Sequence, residues 1–171
     1  MNIRKLILLF SLLAIGFSAN AQRWAYVDTE YILQKLPKYR AAQSQLDKMS
    51  RDWQKEIDAE IRSLKKMKVS LENERVLLTR DLIEERELQI SDKVTEIEKL
   101  QQKRFGAEGD LITQRKQLTR PIQDQVFNAV QAIAKKKRYD AVFDKSSDLI
   151  MLYYNKKYDI SDRVLKKIKS M

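Results

Sequence analysis

The feature that most limits this chain is the stretch from Lys38 to about Arg120, which is polar, holds no proline and only the glycine pair Gly106/Gly109, and carries a thin apolar stripe. On the outward run the stripe is Leu46, Met49, Trp53, Ile57, Ile61, Leu64, Met67 and Leu71, seven steps over 25 residues at a mean spacing near 3.6. That is the period of an α-helix. The stripe resumes with Ile83, Ile90, Val94, Ile97, Gln101, Phe105, Leu111 and Leu118, and Ile122, Val126, Val130 and Ile133 continue it. A stripe one residue wide, flanked by charges, is a coiled-coil seam; a helix on a globular core shows a broader face. Charges three and four apart, such as Glu56/Glu60 near Lys55 and Arg62, read as a solvated face. The spacing breaks at Leu77–Asp81, and Asp81 with Glu84 reads as a capping-box-like restart. The midpoint of Lys38 and Arg120 is 79, so the pattern predicts two antiparallel arms of about 40 residues, each reaching roughly 60 Å. A turn at Gly106/Gly109 would leave much of one seam unpaired, so those glycines read as a kink or a close helix approach.

Outside the arms the character changes. Only Tyr39, Trp53 and Phe105 of the aromatics after residue 21 lie within 38–120. Trp24–Val27 predicts a short strand, Asp28–Glu30 starts a helix over Tyr31–Leu36, and Pro37 stops it. Pro121 is tolerated if a new helical turn begins after Thr119. Lys135–Arg138 reads as a helix C-terminus whose cations suit the dipole. Tyr139–Asp144, a turn at Lys145–Asp148 and Leu149–Tyr154 together predict a β-hairpin with a second strand apolar on both faces. By strand alternation Asp140 and Asp144 read as solvent-facing. Ser161 is the expected cap of a last amphipathic helix bearing Val164, Leu165 and Ile168. The expected fold is mainly α with a small β body: a long helical hairpin on a strand-rich oligomerisation domain. The domains run 1–21, a leader; 22–37 with 121–171, the body; and 38–120, the arm. A body of 67 residues has a marginal core alone, so assembly through its strands is expected, with Tyr26, Val27, Val142, Phe143, Ile150 and Leu152 as candidates.

The chemistry available is narrow. With no Cys and no His, a thiol nucleophile, a disulfide, a Cys/His metal site and imidazole catalysis are all excluded. Neither GxxxxGK nor GxGxxG occurs. No catalytic, cofactor or metal residues are assigned, and a binding protein is favoured over an enzyme. Arg4 and Lys5, the apolar run Leu6–Phe17 and Ser18-Ala19-Asn20-Ala21 form the three regions of an export leader, with Gln22 as the expected first residue after cleavage. The run is too short for a spanning anchor, which needs about 20 residues. Cleavage would leave 32 basic and 24 acidic residues, a net charge of +8. Such a surface attracts polyanions or acidic chains.

Ala25-Tyr26-Val27-Asp28, the lysine-bearing arm, Tyr139–Asp144 and Asp159-Ile160-Ser161-Asp162-Arg163-Val164-Leu165-Lys166 occur in an order that resembles the Skp/OmpH family of periplasmic chaperones, over essentially all of 23–169. The resemblance implies a homotrimer shaped like a jellyfish, its strands forming a central body and its arms enclosing a cavity. It also implies a protein that holds unfolded outer-membrane proteins in transit without ATP. No cofactor is implied. Anionic lipid or lipopolysaccharide is a further expected partner and nucleic acid is not. Holding many sequences weakly suits flexible side chains, so Met49, Lys65, Lys66, Met67, Lys68, Leu77, Leu78 and Ile83 are candidate client contacts. Most of the apolar ones could equally be seam. Two rival readings stay open: a structural coiled-coil protein of the envelope, and a basic polyanion binder. The second is weakened by few aromatics interleaved for base stacking.

Overall fold

The computed structural model describes residues 22–147 and 151–170; the proposed leader and Ile150 lie outside the described residues. In chain order the elements are β1 (Trp24–Val27), α1 (Thr29–Lys35), α2 (Pro37–Glu74), a 3-10 turn (Arg75–Leu77), α3 (Arg80–Phe105), α4 (Asp110–Lys137), β2 (Ala141–Asp144), a second 3-10 turn (Lys156–Tyr158) and α5 (Ser161–Lys169). The architecture is mainly α, with a long helical hairpin and a small strand part. Two compact units divide it: one holds the described residues through Thr29 and from Asn128 onward, the other Glu30–Phe127.

In the first unit β1 and β2 pair in parallel, Trp24 opposite Ala141 through Val27 opposite Asp144. The ladder is extended at both ends, where Asp140 N–H donates to the Arg23 carbonyl at 2.7 Å and Lys145 N–H to the Val27 carbonyl at 2.8 Å. On the other side of β1, Ile160 N–H donates to the Tyr26 carbonyl at 3.0 Å. With neighbours on both edges, Ala25, Tyr26 and Val27 are all buried, as in a strand covered on both faces. The predicted β-hairpin is therefore corrected: β2 takes β1 as its partner, and Met151–Tyr154 joins no ladder. The hairpin reading assumed that strands close in sequence pair, whereas a parallel pair needs a long crossover; here everything between Asp28 and Asp140 supplies it.

Two caps also differ from expectation. Ser161 is the first residue of α5, and its hydroxyl donates to Asp159 Oδ1 at 2.6 Å while accepting the Asp28 N–H at 2.9 Å. It ties the end of β1 to the start of α5, and Asp159 receives the Ser161 N–H. The face of α5 is as expected, with Val164, Leu165 and Ile168 buried. Pro121 lies inside the unbroken α4, not at a fresh start. It is exposed, and its missing N–H removes one ladder bond, the one to the Gln117 carbonyl. The cations Lys135, Lys136 and Lys137 do fill the last turn of α4, and Arg138 leaves it at a positive φ of 54°.

Asp144 is half-buried, not simply solvent-facing. Its carboxylate accepts the Thr29 N–H at 3.2 Å and hydroxyl at 2.5 Å, and the Ser146 N–H at 3.0 Å and hydroxyl at 2.7 Å. Burial pushes its pKa up, but these hydrogen bonds outweigh burial and hold it below the ordinary carboxylate value. The stabilisation from Asp144 is therefore present above the unfolded pKa of about 4 and is lost as the pH falls through the lower folded value. Asp144→Asn should cost about 1–2 kcal/mol at pH 7, since an amide nitrogen would face donors. In thermal unfolding the gap between variant and parent should narrow at pH 3; an equal gap at both pH values would contradict this account.

Candidate functional site

The second unit is built on the pairing of α2 with α3. The tip lies at Arg75–Thr79, close to the midpoint expected from the sequence. Leu78 is extended, and Thr79 is the N-cap of α3, its hydroxyl accepting the Leu82 N–H at 3.5 Å. The restart is thus set by Thr79 and not by Asp81, because Thr79 has the extended backbone a cap requires. Ion pairs record the antiparallel register: Glu74–Arg86 at 2.7 Å, Arg75–Glu87 at 3.3 Å, Glu60–Lys93 at 2.6 Å and Glu56–Arg104 at 3.1 Å. Hydrogen bonds from Ser70 and then Arg86 hold the Glu74 carboxyl low, and those to Glu60 and then Glu96 push Lys93 up. Each exposed pair contributes little energy; together they favour one register.

Between α3 and α4 the chain turns tightly. A Cβ on Gly106 would sit 2.4 Å from the Gln102 carbonyl oxygen, and one on Gly109 would sit 2.9 Å from the Gly106 nitrogen. Close backbone approach, not a positive φ, makes these residues glycine. Arg104 spans the break, reaching Asp110 at 2.7 Å and Glu56 at 3.1 Å while lying 5.0 Å over the Trp53 ring. Trp53 meets Phe105 edge-on at 6.4 Å.

The seam is narrow in fact as well as in sequence. Ala42, Leu46, Ile57 and Leu71 are the buried residues of α2, and Ile97 that of α3. Much apolar surface stays outside. Val76 is 90% exposed and Leu77 83%, and Ile61, Val69, Leu82 and Leu88 are exposed as well. The turn carries none of the Gly, Pro or Asn that turns usually need, so backbone geometry does not explain an apolar Val76-Leu77-Leu78 there. Lys65 and Lys66 line an open hollow of about 630 Å³ with Arg62 and Val69. Lys66 and Met67 line another of about 470 Å³ with Arg86 and Ile90.

The expected contacts therefore fall into groups. Lys65, Lys66 and Met67 come together; Lys68 is exposed but lines neither hollow; Leu77 stands at the tip, with Leu78 and Ile83 half-buried near it. Met49 is half-buried and lies about 27 Å along α2 from Met67. Val69, Val76, Leu82 and Leu88 were not singled out by the sequence, although the apolar run at 76–78 was a usable signal. Among the body candidates, Tyr26 and Val27 are spent on the chain's own core, Val142 is half-buried, Phe143 is 42% exposed and Leu152 95%. Among the described residues no group of His, Cys, Asp and Glu could hold a metal ion, and no helix is long and apolar enough to cross a membrane.

The long helical hairpin leaves apolar and basic side chains open, and a small parallel β pair joins Trp24–Val27 to Ala141–Asp144. Residues 23–168 match the family of outer membrane proteins described as OmpH-like, and the chain belongs to that family. An uncharacterized protein of Aquifex aeolicus (strain VF5) is 33% identical over 170 residues, covering 96% of both chains. The chaperone protein Skp of Vibrio cholerae serotype O1 is 27% identical over 172 residues, covering 96% of this chain and 94% of its own. The crystal structure of an OmpH-like protein from Caulobacter crescentus CB15 superposes with a TM-score of 0.72 at 13% identity, covering 90% of this chain and 87% of that one. This last likeness is one of fold.

Proposed function

We propose that the chain is a periplasmic holdase that binds unfolded outer-membrane proteins along its hairpin and keeps them from aggregating, without ATP. The observation that carries this reading is the hairpin surface: a thin buried seam, with Val76, Leu77, Leu88 and the Lys65–Met67 group left open and the lysines lining open hollows. Family membership and the likeness to Skp support it. An unfolded barrel protein exposes alternating apolar residues and unpaired strand edges, and flexible apolar and lysine side chains meet such segments without requiring one shape. In this reading residues 1–21 are a cleaved leader, residues 22–37 with 121–171 the assembling body of a homotrimer, and 38–120 the arm. Met49, Lys68, Leu78 and Ile83 join the client contacts.

The test is light scattering of a urea-diluted outer-membrane barrel protein with and without the chain. Scattering should fall to near baseline when the chain is in slight excess; unchanged scattering would favour a tether with no client. Replacing Lys65, Lys66 and Lys68 by Gln should weaken capture of acidic clients several-fold and flatten its salt dependence, because exposed charges are screened within about 10 Å at 0.1 M salt. Helix content should hold, since Gln is nearly as good a helix former as Lys.

A further inference from the structure

The hairpin has two outer edges of opposite charge. Along α2, residues 62–69 hold four basic residues and no acidic one. Arg62, Lys65, Lys66 and Val69 recur three and four apart, so they share one side of the helix, and all four are exposed, Val69 by 50%. That side is turned away from the seam residues Ile57, Leu64 and Leu71, and it bears the open hollow of about 630 Å³, whose walls come from α2 alone. Along α3, residues 84–98 hold six acidic residues and two basic ones. The two basic residues, Arg86 and Lys93, are turned toward α2, where they meet Glu74 at 2.7 Å and Glu60 at 2.6 Å. Glu85, Leu88, Asp92 and Glu96 follow one another three and four apart on the far side of α3 and are all exposed, Leu88 by 62%. Glu96 also meets Lys93 of its own helix at 3.2 Å. The pairs Glu74–Arg86 and Glu56–Arg104 set the register of the hairpin, so Glu85–Glu96 runs beside 64–75 of α2 and the two edges stand at the same level.

Two basic edges repel each other, and so do two acidic ones, so a contact that pairs like edges of two copies is disfavoured. A basic edge and an acidic edge on opposite sides of one hairpin suit a head-to-tail contact, in which each copy gives one edge and receives the other. Such a contact closes into a ring. Copies that point the same way set α2 of one antiparallel to α3 of the next, which is the pairing already made within each hairpin. Val69 and Leu88 place an apolar residue within each edge. We propose that the hairpins of neighbouring copies dock edge to edge when no client is held, Arg62, Lys65, Lys66 and Val69 of one lying against Glu85, Leu88, Asp92 and Glu96 of the next. The proposal rests on the trimeric holdase reading above. Lys65 and Lys66 are client contacts in that reading, so a client and a neighbour's acidic edge compete for them, and the empty protein keeps part of its client surface covered.

The chain has no cysteine, so Val69→Cys with Leu88→Cys places its only two thiols on opposite edges of one hairpin. A short bis-maleimide should then join chains into covalent dimers and trimers on a denaturing gel, and either single-cysteine variant should give several-fold less. Sedimentation of the same variant separates the two readings: a trimer that does not crosslink overturns this inference alone, and a monomer overturns both. In the two-cysteine chain, Lys65→Glu with Lys66→Glu should lower the yield several-fold. Adding Glu85→Lys and Asp92→Lys should restore it, because the edges are complementary again with their signs exchanged. All these positions are exposed, so circular dichroism should show helix content unchanged. An unchanged yield in the first charge variant, or no recovery in the second with helix content intact, overturns the proposal. A urea-diluted barrel protein in excess should lower the yield once light scattering shows that it is captured. A captured client that leaves the yield as it was overturns the competition.

Discussion

Ile57→Asp is expected to melt the hairpin. Ile57 is 1% exposed, the most buried residue of α2, and the seam around it is one residue wide, so no second layer of core compensates. Deleting the side chain alone costs about 2–5 kcal/mol at buried sites, and an unpaired carboxylate adds a desolvation penalty of several kcal/mol. What opposes the loss is weak: helices of this composition are marginal without packing, and the ion pairs along the hairpin are largely exposed and contribute little each. Circular dichroism at 222 nm should show the hairpin's transition shifted down by more than roughly 15 °C. Val69→Asp, on the open face of the same helix, should move it by no more than a degree or two. A seam variant as stable as the parent would mean that α2 and α3 do not hold each other.

The second large effect concerns assembly. The unit formed by the residues through Thr29 and from Asn128 is small, and its core rests on Ala25, Tyr26, Val27, Ala129, Ile160, Val164, Leu165 and Ile168. A core of that size is marginal, while Phe143 and Leu152 remain exposed on the same unit. We expect the chain to sediment as a trimer and Phe143→Asp to sediment as a monomer, because a charge in a packed apolar interface costs several kcal/mol and a trimer counts that cost three times. Phe143 is already partly open in the single chain, so the variant should keep its fold. A Phe143→Asp trimer, or a monomeric parent, would place assembly elsewhere.

Much of the hairpin is legible in the sequence because its determinants are local. The spacing of Leu46 through Leu71 gives the helix, and the break at Leu77–Asp81 with the midpoint of Lys38 and Arg120 gives the tip near residue 79. The β unit is less legible, since the partner of Ala141–Asp144 lies more than a hundred residues earlier in the chain and nothing local to β2 names Trp24–Val27. Asp144 shows the same limit: alternation sets its side, but its hydrogen bonds to Thr29 depend on that distant pairing. Of the proposed client surface, Leu77 and the Lys65–Met67 group could be read from composition. The openness of Val76 and Leu88 could not, because seam and display residues share one chemistry and differ only in which face of the helix the partner covers.

In the proposed function the hairpin holds the client while the remainder of the chain assembles. This division is tested most directly by replacing residues 40–118 with a short linker and repeating the light-scattering assay with the same barrel protein. The product should sediment as the parent oligomer and leave aggregation as high as in buffer alone. An armless oligomer that protects the client as well as the whole chain does would contradict it.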